Sequence, residues 1–379
     1  MTTGVVIIGR NEGERFERCL RSLVGRASPI VYVDSGSTDG SVAFAESNAS
    51  HGVHVVRLDM STPFTAARAR NAGLERLLQT APETQFVQFV DGDCEVREGW
   101  LEAAAAKLDG DETLAAVSGR LRERFPEASL YNRLADLEWD RPVGEEKSCG
   151  GVAMMSVEAV RNAGGFDPTL IAGEEPELCA RMRALGLRVW RLADEMASHD
   201  LAMTTKKQWL TRARRHGYAI IEVSYFKTAA SRGLFQQQVR SAVLWGVVVP
   251  ATVALYVLVK IACLIGFAIM LANSEQVSRW AVAGGDARMQ MYANTLLAAR
   301  VMPVLAGIPV ILVAIAWFMQ TRKLARRAES LQGLSTTEAN AYADLLMRSK
   351  LSQARGMLSF LLHRLRNRRA GLIDYREST

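Results

Sequence analysis

Three acids spaced two residues apart follow an apolar run in the stretch VDGDCE, residues 90–95. Unpaired carboxylates inside a buried strand would be very costly, so we expect the strand to end here and the acids to lie in its exit loop. Two carboxylates separated by one residue can share a divalent cation, and such oxygen ligands select Mg²⁺ or Mn²⁺, which often bridge to substrate phosphates. The spacing predicts a metal–diphosphate site at Asp91 and Asp93, with Glu95 as a further candidate ligand.

Four apolar runs closed by polar residues predict the strands that would position these acids. They lie in TGVVIIGRNE, at 30–33 in IVYVDSGSTDGS, at 53–58, and in TQFVQFVDGDCE. Apolar residues at helical spacing predict helices over 14–24 and 64–78, and the Asp/Ser/Gly loop after the second strand can cap a helix from Ser41. Alternating strands and helices indicate a doubly wound α/β sheet, in which ligands bind beyond the carboxyl ends of the strands.

Two charge-poor stretches follow this region, at 244–271 and 301–319. The first is long enough to cross about 30 Å of hydrocarbon with tilt, although Lys260 interrupts it, and the second has about the minimum length. Basic residues flank the pair at Lys227, Arg232, Arg240, Arg322, Lys323, Arg326 and Arg327. The positive-inside rule then predicts a transmembrane hairpin with both flanks in the cytoplasm. The alternative is that both stretches are buried helices of a soluble helical domain. The charge of Lys260 inside the first stretch is the main reason to consider it.

Basic residues also mix with aromatic or apolar ones at 206–225 and in the tail 349–376. The first segment suits a helix lying along lipid headgroups. The tail predicts either a second such helix or an amphipathic helix packed on the first domain. We therefore divide the chain into a catalytic domain (1–205), an interfacial segment (206–243), a membrane hairpin (244–319) and a basic tail (320–379).

Charge and cysteine content narrow the classes of function. The net charge of +6 suits anionic headgroups or substrates as well as nucleic acid. The five cysteines form no C-x-x-C pair and no metal-ligand spacing, so the sequence predicts neither a zinc site nor a disulfide framework, and it favours a reduced, cytosolic setting. No signal peptide is expected ahead of the first strand.

Seven motifs occur in order over about residues 4–220: IIGRNE, VDSGSTDGS, ARARNAG, VDGDCE, GGVAMMSVEAVRNAGGFD, GEEPELCARM and SHD. Together they resemble the family 2 glycosyltransferases with the GT-A fold. The resemblance implies metal-dependent, inverting sugar transfer from a nucleotide-diphosphate sugar. The hairpin and the tail ending in GLIDYR further resemble bacterial members that build polysaccharides. This implies a lipid-linked acceptor, contact with membrane lipids, no nucleic acid, and an inner-membrane location with the catalytic domain in the cytoplasm.

The resemblance also implies roles for residues of the nucleotide site. Asn11 and Glu12 would line the nucleoside pocket, with Glu12 near the ribose. Asp34 would hydrogen-bond the nucleobase, Asp39 would order the same loop, and Arg70 would lie near base or phosphate. Each has a structural alternative: the two aspartates suit turns and helix caps, and Arg70 suits a surface ion pair.

Four residues follow for the metal site. Asp91 would face the ribose or the metal, and Asp93 would bind the metal directly. Glu95 lies where some lipid-phosphate glycosyltransferases use a third ligand. His199 matches a histidine that can complete the metal or diphosphate site, and a hydrogen-bonded turn is its alternative.

The stretch GEEPELCARM carries the implied catalytic base. Inverting transfer needs a carboxylate that takes the acceptor's proton opposite the leaving diphosphate. The family's Glu-Asp pair aligns with Glu174 and Glu175, which implies a base at Glu175, with Glu174 as the alternative. Adjacent acids tend to raise one pKa, as suits a base. Acids here also favour the start of a helix over 178–185, and a residue at the helix start can serve as the base as well.

Four further residues are candidate contacts for acceptor or phosphate. Gly150 and Gly151 allow close approach of the backbone to a ligand, or form a tight turn. Arg212 and Arg215 are expected to meet phosphate or headgroups.

Two other functions are alternatives for this chain: a sugar nucleotidyltransferase and a non-catalytic scaffold. A sugar nucleotidyltransferase would need a Gly-rich, basic loop after the first strand, of which GRNEGERF is a poor version. A non-catalytic, membrane-tethered scaffold would make no use of the ordered acids.

Overall fold

The computed structural model of the chain describes residues 2–272, 279 and 286–367. The chain forms two compact units, one made of residues up to Val239 and from Ser352 onward, the other of Arg240–Leu351. The predicted domain limits at 205, 243 and 319 stay predictions. The end of the tail, including GLIDYR, lies outside the described residues.

A nine-stranded mixed sheet forms the centre of the first unit among the described residues. Its strands are β1 (Thr3–Gly9), β2 (Ile30–Asp34), β3 (Val53–Arg57), β4 (Phe86–Asp91), β5 (Cys94–Val96), β6 (Leu114–Glu123), β7 (Gly144–Glu146), β8 (Ala153–Ser156) and β9 (Arg188–His199). They run in the order β3-β2-β1-β4-β8-β6-β9-β5, and β7 also pairs with β9.

The first four strands, β1 to β4, are parallel to one another, as predicted. β8 runs antiparallel to both β4 and β6, so the sheet is mixed rather than parallel throughout. The predicted strands are confirmed to within one or two residues. They were recognisable because both faces of β1, β2 and β4 are buried, which makes each a continuous apolar run.

Helices accompany the sheet. Those that precede the last strand are α1 (Glu14–Arg21), α2 (Ser41–Ser47), α3 (Ala66–Thr80), α4 (Trp100–Asp109), α5 (Leu130–Trp139), α6 (Val157–Asn162) and α7 (Glu174–Ala184). After the sheet come α8 (Lys206–Phe226) and α9 (Gln236–Val243), the second of which ends in the other unit. The helix predicted over 64–78 begins two residues later because Thr65 is its cap, accepting a hydrogen bond from the Arg68 N–H. The helix predicted over 178–185 begins at Glu174, after Gly173 in a left-handed conformation, so both candidate catalytic acids lie in its first turn.

Gly73 lets α3 approach the sheet closely. A Cβ there would overlap the side chain of Val6 and lie 2.9 Å from Cγ2 of Val33. We expect Gly73→Ala to lower the free energy of unfolding by about 1–3 kcal/mol through overpacking. Urea unfolding followed by circular dichroism measures this. The exposed substitution Gln79→Ala on the same helix is the control, and an equal midpoint for both variants would contradict the packing argument.

The second unit contains α10 (Val249–Ala272), α11 (Asp286–Gln332) and the start of α12 (Thr336–Leu365). Two helical stretches, Gln236–Ile269 and Gly307–Ser330, are long and apolar enough to cross a membrane by length and composition. Their most apolar windows are 0% and 6% buried, whereas buried helices of a soluble domain would be covered. The connection predicted between the spans lies largely outside the described residues.

The C-terminal part of α12 packs on α8 within the first unit. A Cβ at Gly217 or Gly356 would clash with the backbone of the other helix, and the rings of Tyr218 and Phe360 lie 5.2 Å apart. Of the two predictions for the tail, the packed amphipathic helix therefore fits this segment. Its other side still exposes apolar residues at helical spacing: Leu358, Leu362 and Leu365.

Candidate active site

The carboxyl ends of β1, β2 and β4 lie side by side at one edge of the sheet. Gly9 of β1 pairs with Asp34 of β2, and Ile8 of β1 pairs with Asp91 of β4. The loops that follow these strands carry further predicted residues to the same edge: Asn11, Glu12, Asp39 and Asp93.

Asn11 fastens the loop after β1 to the loop after β2. Its N–H donates to Oγ of Ser37 over 2.9 Å, and its Oδ1 accepts from the N–H of Thr38 over 2.7 Å. Its φ of 54° is left-handed, a conformation that asparagine adopts more readily than most residues. Glu12 follows, buried and paired with Arg15 at 3.0 Å. The two loops are thus held in one arrangement.

Two aspartates of the second loop bind backbone groups. Asp34 accepts from the N–H of Ser37 over 3.1 Å, while Asp39 accepts from the N–H groups of Gly13 and Ser41 over 2.9 Å and 3.0 Å. Burial alone would raise the pKa of Asp39, but the hydrogen bonds from Ser41 and Gly13 lower it below its ordinary value. These are the turn and cap contacts expected of aspartates, and the predicted contact of Asp34 with a nucleobase stays a prediction.

A cavity of about 450 Å³, here called the smaller cavity, opens beyond these strand ends. Its lining includes residues predicted for the nucleotide and for the metal: Asn11, Glu12, Arg70, Asp91, Asp93 and His199. The structure therefore brings both predicted groups to one place.

Asp93 and His199 are in direct contact. β5 pairs with β9, so that Cys94 lies opposite His199, and Nε2 of His199 is 3.1 Å from Oδ2 of Asp93. The imidazole stacks on Trp139 with ring centroids 4.9 Å apart. Burial alone would lower the pKa of His199, but the carboxylate of Asp93 raises it above its ordinary value.

These donors fit a hard divalent cation. Asp93 and His199 belong to one group of possible ligands together with Cys94, and Asp91 lines the same cavity. The buried Nδ1 of His199 has no hydrogen-bond partner among the described residues. Oxygen donors with one imidazole suit Mg²⁺ or Mn²⁺.

Glu95 does not join the candidate metal ligands, contrary to the prediction. Its carboxylate forms ion pairs with Arg18, at 3.1 Å, and with Arg124. Among the described residues that line the smaller cavity, Glu95 is not found. Two guanidinium groups hold its carboxylate away from the acids that it was predicted to join.

Arg70 joins the metal-side acids to the candidate catalytic acids. Its guanidinium is 3% exposed and donates to Oδ1 of Asp91 over 2.9 Å and to Oε1 of Glu174 over 2.5 Å. Its guanidinium also lies over the ring of Phe166, 5.6 Å from the centroid. The surface ion pair that was the structural alternative for Arg70 is therefore wrong, because Arg70 is buried and its pair with Glu174 is buried on both sides, while the side chain of Asp91 is 36% exposed.

The two adjacent glycines differ. A Cβ at Gly151 would lie 2.9 Å from Nη2 of Arg70 and 3.1 Å from Oδ2 of Asp91, so the backbone there approaches the ion pair closely. Gly150 has a φ of 86°, which glycine adopts without strain, and so it serves the turn.

Glu174 and Glu175 have different surroundings. Burial alone would raise the pKa of Glu174, but Arg70 holds it below its ordinary value, so the raised pKa expected for one acid does not belong to Glu174. Oε1 of Glu175 accepts three hydrogen bonds: from the N–H of Cys149 over 2.6 Å, from its thiol over 3.1 Å, and from the thiol of Cys179 over 3.0 Å.

Both thiols are protonated donors. The hydrogen bond with Cys179, together with burial, raises the pKa of Cys149 well above its ordinary value. Contact with Cys149 alone would lower the pKa of Cys179, but burial and the charge of Glu175 raise it. The sequence contains no metal-ligand spacing of cysteines, yet the fold brings these two sulfurs to 3.6 Å.

A second cavity, here called the larger cavity, has a volume of about 600 Å³. Its lining includes Gly150, Glu175 and Arg212, and it shares Asp91, Gly151, Glu174, His199 and Arg215 with the smaller cavity. The metal-side acids and the candidate bases therefore face adjoining spaces in one cleft.

Sequence reasoning missed several residues of the larger cavity, among them Glu138, Trp139, Arg141, Cys149 and Arg191. Arg212 lies 3.5 Å from Glu138, and Arg191 donates to the backbone of Gly119 and Trp139. Three of these residues, Glu138, Trp139 and Arg141, lie together in LEWDR, which is a local signal of a polar and aromatic surface.

The chain is similar to known proteins over its N-terminal half. Residues 4–147 match the model of glycosyl transferase family 2. The chain is 30% identical over 226 residues to a pre-mycofactocin glycosyltransferase of Mycobacterium tuberculosis, covering 56% of this chain and 45% of the relative. It is 24% identical over 207 residues to glycosyltransferase AglE of Haloferax volcanii (52% and 66%), and 24% identical over 198 residues to the succinoglycan biosynthesis protein ExoA of Rhizobium meliloti (49% and 59%).

Solved structures are more distant. A mannosyltransferase from Pyrobaculum calidifontis in complex with GDP-Man and Mn²⁺ has a TM-score of 0.48 and 17% identity, covering 83% of this chain and 86% of that one. TarS 1–349 of S. aureus in complex with UDP has a TM-score of 0.45 and 14% identity, covering 96% and 92%.

The match of residues 4–147 supports the predicted family 2 glycosyltransferase domain, and the predicted α/β sheet followed by a helical C-terminal region is confirmed. The chain spans less than two thirds of the length of each of these curated relatives.

Proposed function

We propose that the protein is a metal-dependent, inverting glycosyltransferase that moves a sugar from a nucleotide-diphosphate sugar to a lipid-linked acceptor at the cytoplasmic face of a bacterial inner membrane. The observation that carries this proposal is the cleft in which Arg70 joins Asp91 to Glu174, with Glu175 beside them. Acids for a metal and acids for proton transfer are needed within one substrate's length of each other.

The smaller cavity is the proposed donor site. Asn11 and Glu12 supply its nucleoside end, while Asp91, Asp93 and His199 would hold a divalent cation at its diphosphate end. Such an ion, when bound, supplies Lewis-acid stabilisation of the departing diphosphate. The family match and the named glycosyltransferase relatives support a sugar donor.

Glu175 is the proposed base. As the acceptor oxygen bonds to the anomeric carbon and the bond to the diphosphate breaks, the hydroxyl proton passes to the carboxylate. All three hydrogen bonds to Glu175 end on Oε1, and among the described residues no group donates to Oε2, so that oxygen remains for the proton. Glu174, ionised beside Arg70, holds the guanidinium in place.

The larger cavity is the proposed acceptor site. Four arginines contribute to its described lining, Arg141, Arg191, Arg212 and Arg215, and Trp139 offers an aromatic face. Guanidinium groups recognise phosphate well, which suits an acceptor linked to lipid through phosphate. The polysaccharide role of ExoA, by its name, favours a similar pathway class for this chain.

The apolar helices are the proposed membrane anchor. Large apolar side chains of α10 and α11 are exposed, for example Leu255 and Leu264, and basic residues follow at Arg322 and Lys323. A lipid environment would cover this surface, and the basic flanks favour a cytoplasmic catalytic domain.

Metal-dependent donor binding tests the proposal. The purified chain is screened with UDP-, GDP-, ADP-, CDP- and dTDP-sugars in Mn²⁺ or in chelator, and thermal unfolding is followed. At a free donor concentration of about 100 times Kd, the true donor should raise the free energy of unfolding by about 2.7 kcal/mol. It should do so only in the presence of the metal. We expect Asp93→Asn to abolish this shift.

The matched control is Asp109→Asn, an exposed aspartate at the end of α4. It should leave the donor-induced shift unchanged. A panel in which no nucleotide sugar stabilises the wild type, or a full shift in Asp93→Asn, would refute the proposed donor site.

A further inference from the structure

Two buried thiols and a carboxylate meet at the start of α7. Glu175 and Cys179 are one helical turn apart, so they share one face of α7, and Cys149 reaches them from the loop before β8. The two Sγ atoms are 3.6 Å apart, and Oε1 of Glu175 lies 3.1 Å and 3.0 Å from them. Three ligand atoms thus lie within 4.8 Å of one another.

These separations suit a small tetrahedral ion. Zinc binds thiolate sulfur at about 2.3 Å and carboxylate oxygen at about 2.1 Å, which in a tetrahedron gives about 3.8 Å between sulfurs and about 3.6 Å between sulfur and oxygen. The observed sulfur separation already matches, and the oxygen needs a shift of about half an ångström. The N–H of Cys149 would keep the carboxylate oriented, as outer partners of metal ligands do.

We propose that Cys149, Cys179 and Glu175 form a binding site for a thiophilic divalent cation of the zinc type, separate from the Asp91, Asp93 and His199 group. Thiolates select such ions, whereas carboxylate oxygens select Mg²⁺ or Mn²⁺. Cys149 and Glu175 line the larger cavity, which supplies both an entry path and a water as fourth ligand. Binding forms two metal–sulfur bonds and one metal–oxygen bond, and it releases the two thiol protons to solvent.

Occupation of this site would inhibit sugar transfer. An ion bound to Oε1 of Glu175 draws charge from the carboxylate and lowers its basicity, so Oε2 becomes a weaker acceptor of the proton from the acceptor hydroxyl. This consequence rests on the proposed function, whereas the site itself rests only on the three ligands and their geometry.

Cobalt(II) is the probe, because thiolate ligation gives it a charge-transfer absorption and tetrahedral geometry gives strong visible bands. The reduced full-length chain in detergent is titrated with cobalt in excess Mg²⁺. We expect saturation at one equivalent with thiolate absorption, which zinc then removes by displacement. Cys149→Ser and Cys179→Ser should each weaken the absorption, and the double variant should lose it.

Two other cysteines are the controls. Cys94 lies beside Asp93 and His199, and Cys263 lies in α10. Cys94→Ser and Cys263→Ser should keep the full absorption. Loss of the signal in Cys94→Ser, survival of the signal in the double variant, or no thiolate absorption in the wild type would each overturn the site. Near-ultraviolet circular dichroism checks that the double variant is folded. If it is unfolded, the titrations of the wild type and of the two control variants test the site without it.

The readout separates this site from the proposed function. A chain that binds cobalt through both thiols but binds no nucleotide sugar keeps the site and refutes the function. A chain with metal-dependent donor binding and no thiolate absorption keeps the function and refutes the site. Where both hold, equimolar zinc should inhibit transfer by the wild type at least tenfold, and a chelator should restore it.

Discussion

Replacing Glu175 with glutamine is expected to slow sugar transfer by about 10²–10⁴-fold, the usual contribution of a positioned general base. Glutamine has the same shape, and its carbonyl oxygen can still accept from the N–H of Cys149. It cannot take up the proton of the acceptor hydroxyl. Initial rates of product formation, with the donor identified by the stabilisation screen, measure the loss.

Donor binding distinguishes a missing base from a damaged site. Calorimetric titration of the donor with Mn²⁺ should give a similar affinity for Glu175→Gln and wild type, since Glu175 lines the larger cavity and not the smaller one. Glu158→Gln, an exposed change on α6, is the matched control for rate. Normal transfer by Glu175→Gln with unchanged donor affinity would show that the base is elsewhere.

The parallel half of the sheet could be predicted because its signals are local. β1, β2 and β4 are buried on both faces, so each is a short apolar run, and the acids that end them mark the ligand edge. The pairing of β4 with β8 and of β6 with β9 depends on strands far apart in sequence. Those strands are less uniformly apolar, and β9 exposes three consecutive residues. The strands of the mixed half and their pairing could therefore not be predicted from local apolar runs.

The same distinction applies to the site. Asp91 and Asp93 were predicted from their spacing, and His199 from the family resemblance. The contact between Asp93 and His199, however, joins residues 106 apart in sequence and depends on the pairing of β5 with β9. Cys149 and Cys179 are 30 residues apart and meet only because the loop before β8 lies against α7. Glu95 has the same two-residue spacing as Asp91 and Asp93, yet it forms an ion pair with Arg18. The stretch VDGDCE alone does not predict that partner.

The ion pairs of the buried Arg70, above all the one with Glu174, lead to the second large effect. Replacing Arg70 with methionine keeps much of the volume but leaves Asp91 and Glu174 without their cation. Breaking a buried pair by removing one partner costs about 3–5 kcal/mol, so we expect a loss of that size in the free energy of unfolding. Urea unfolding at neutral pH measures it. Arg76→Met, an exposed change on the same helix, should shift stability by no more than about 0.5 kcal/mol.

The pH dependence identifies Glu174 as a source of this loss. Because Arg70 holds the folded-state pKa of Glu174 below its ordinary value, the ionised pair contributes stability that is complete above the ordinary pKa of about 4.3 and is lost as the pH falls through the lower, folded-state pKa. In Arg70→Met that contribution is absent at every pH. The difference between wild type and variant should therefore be largest near neutrality and shrink in acid. A difference that stays constant from pH 7 to pH 3 would assign the loss to packing against Phe166 instead of to charge.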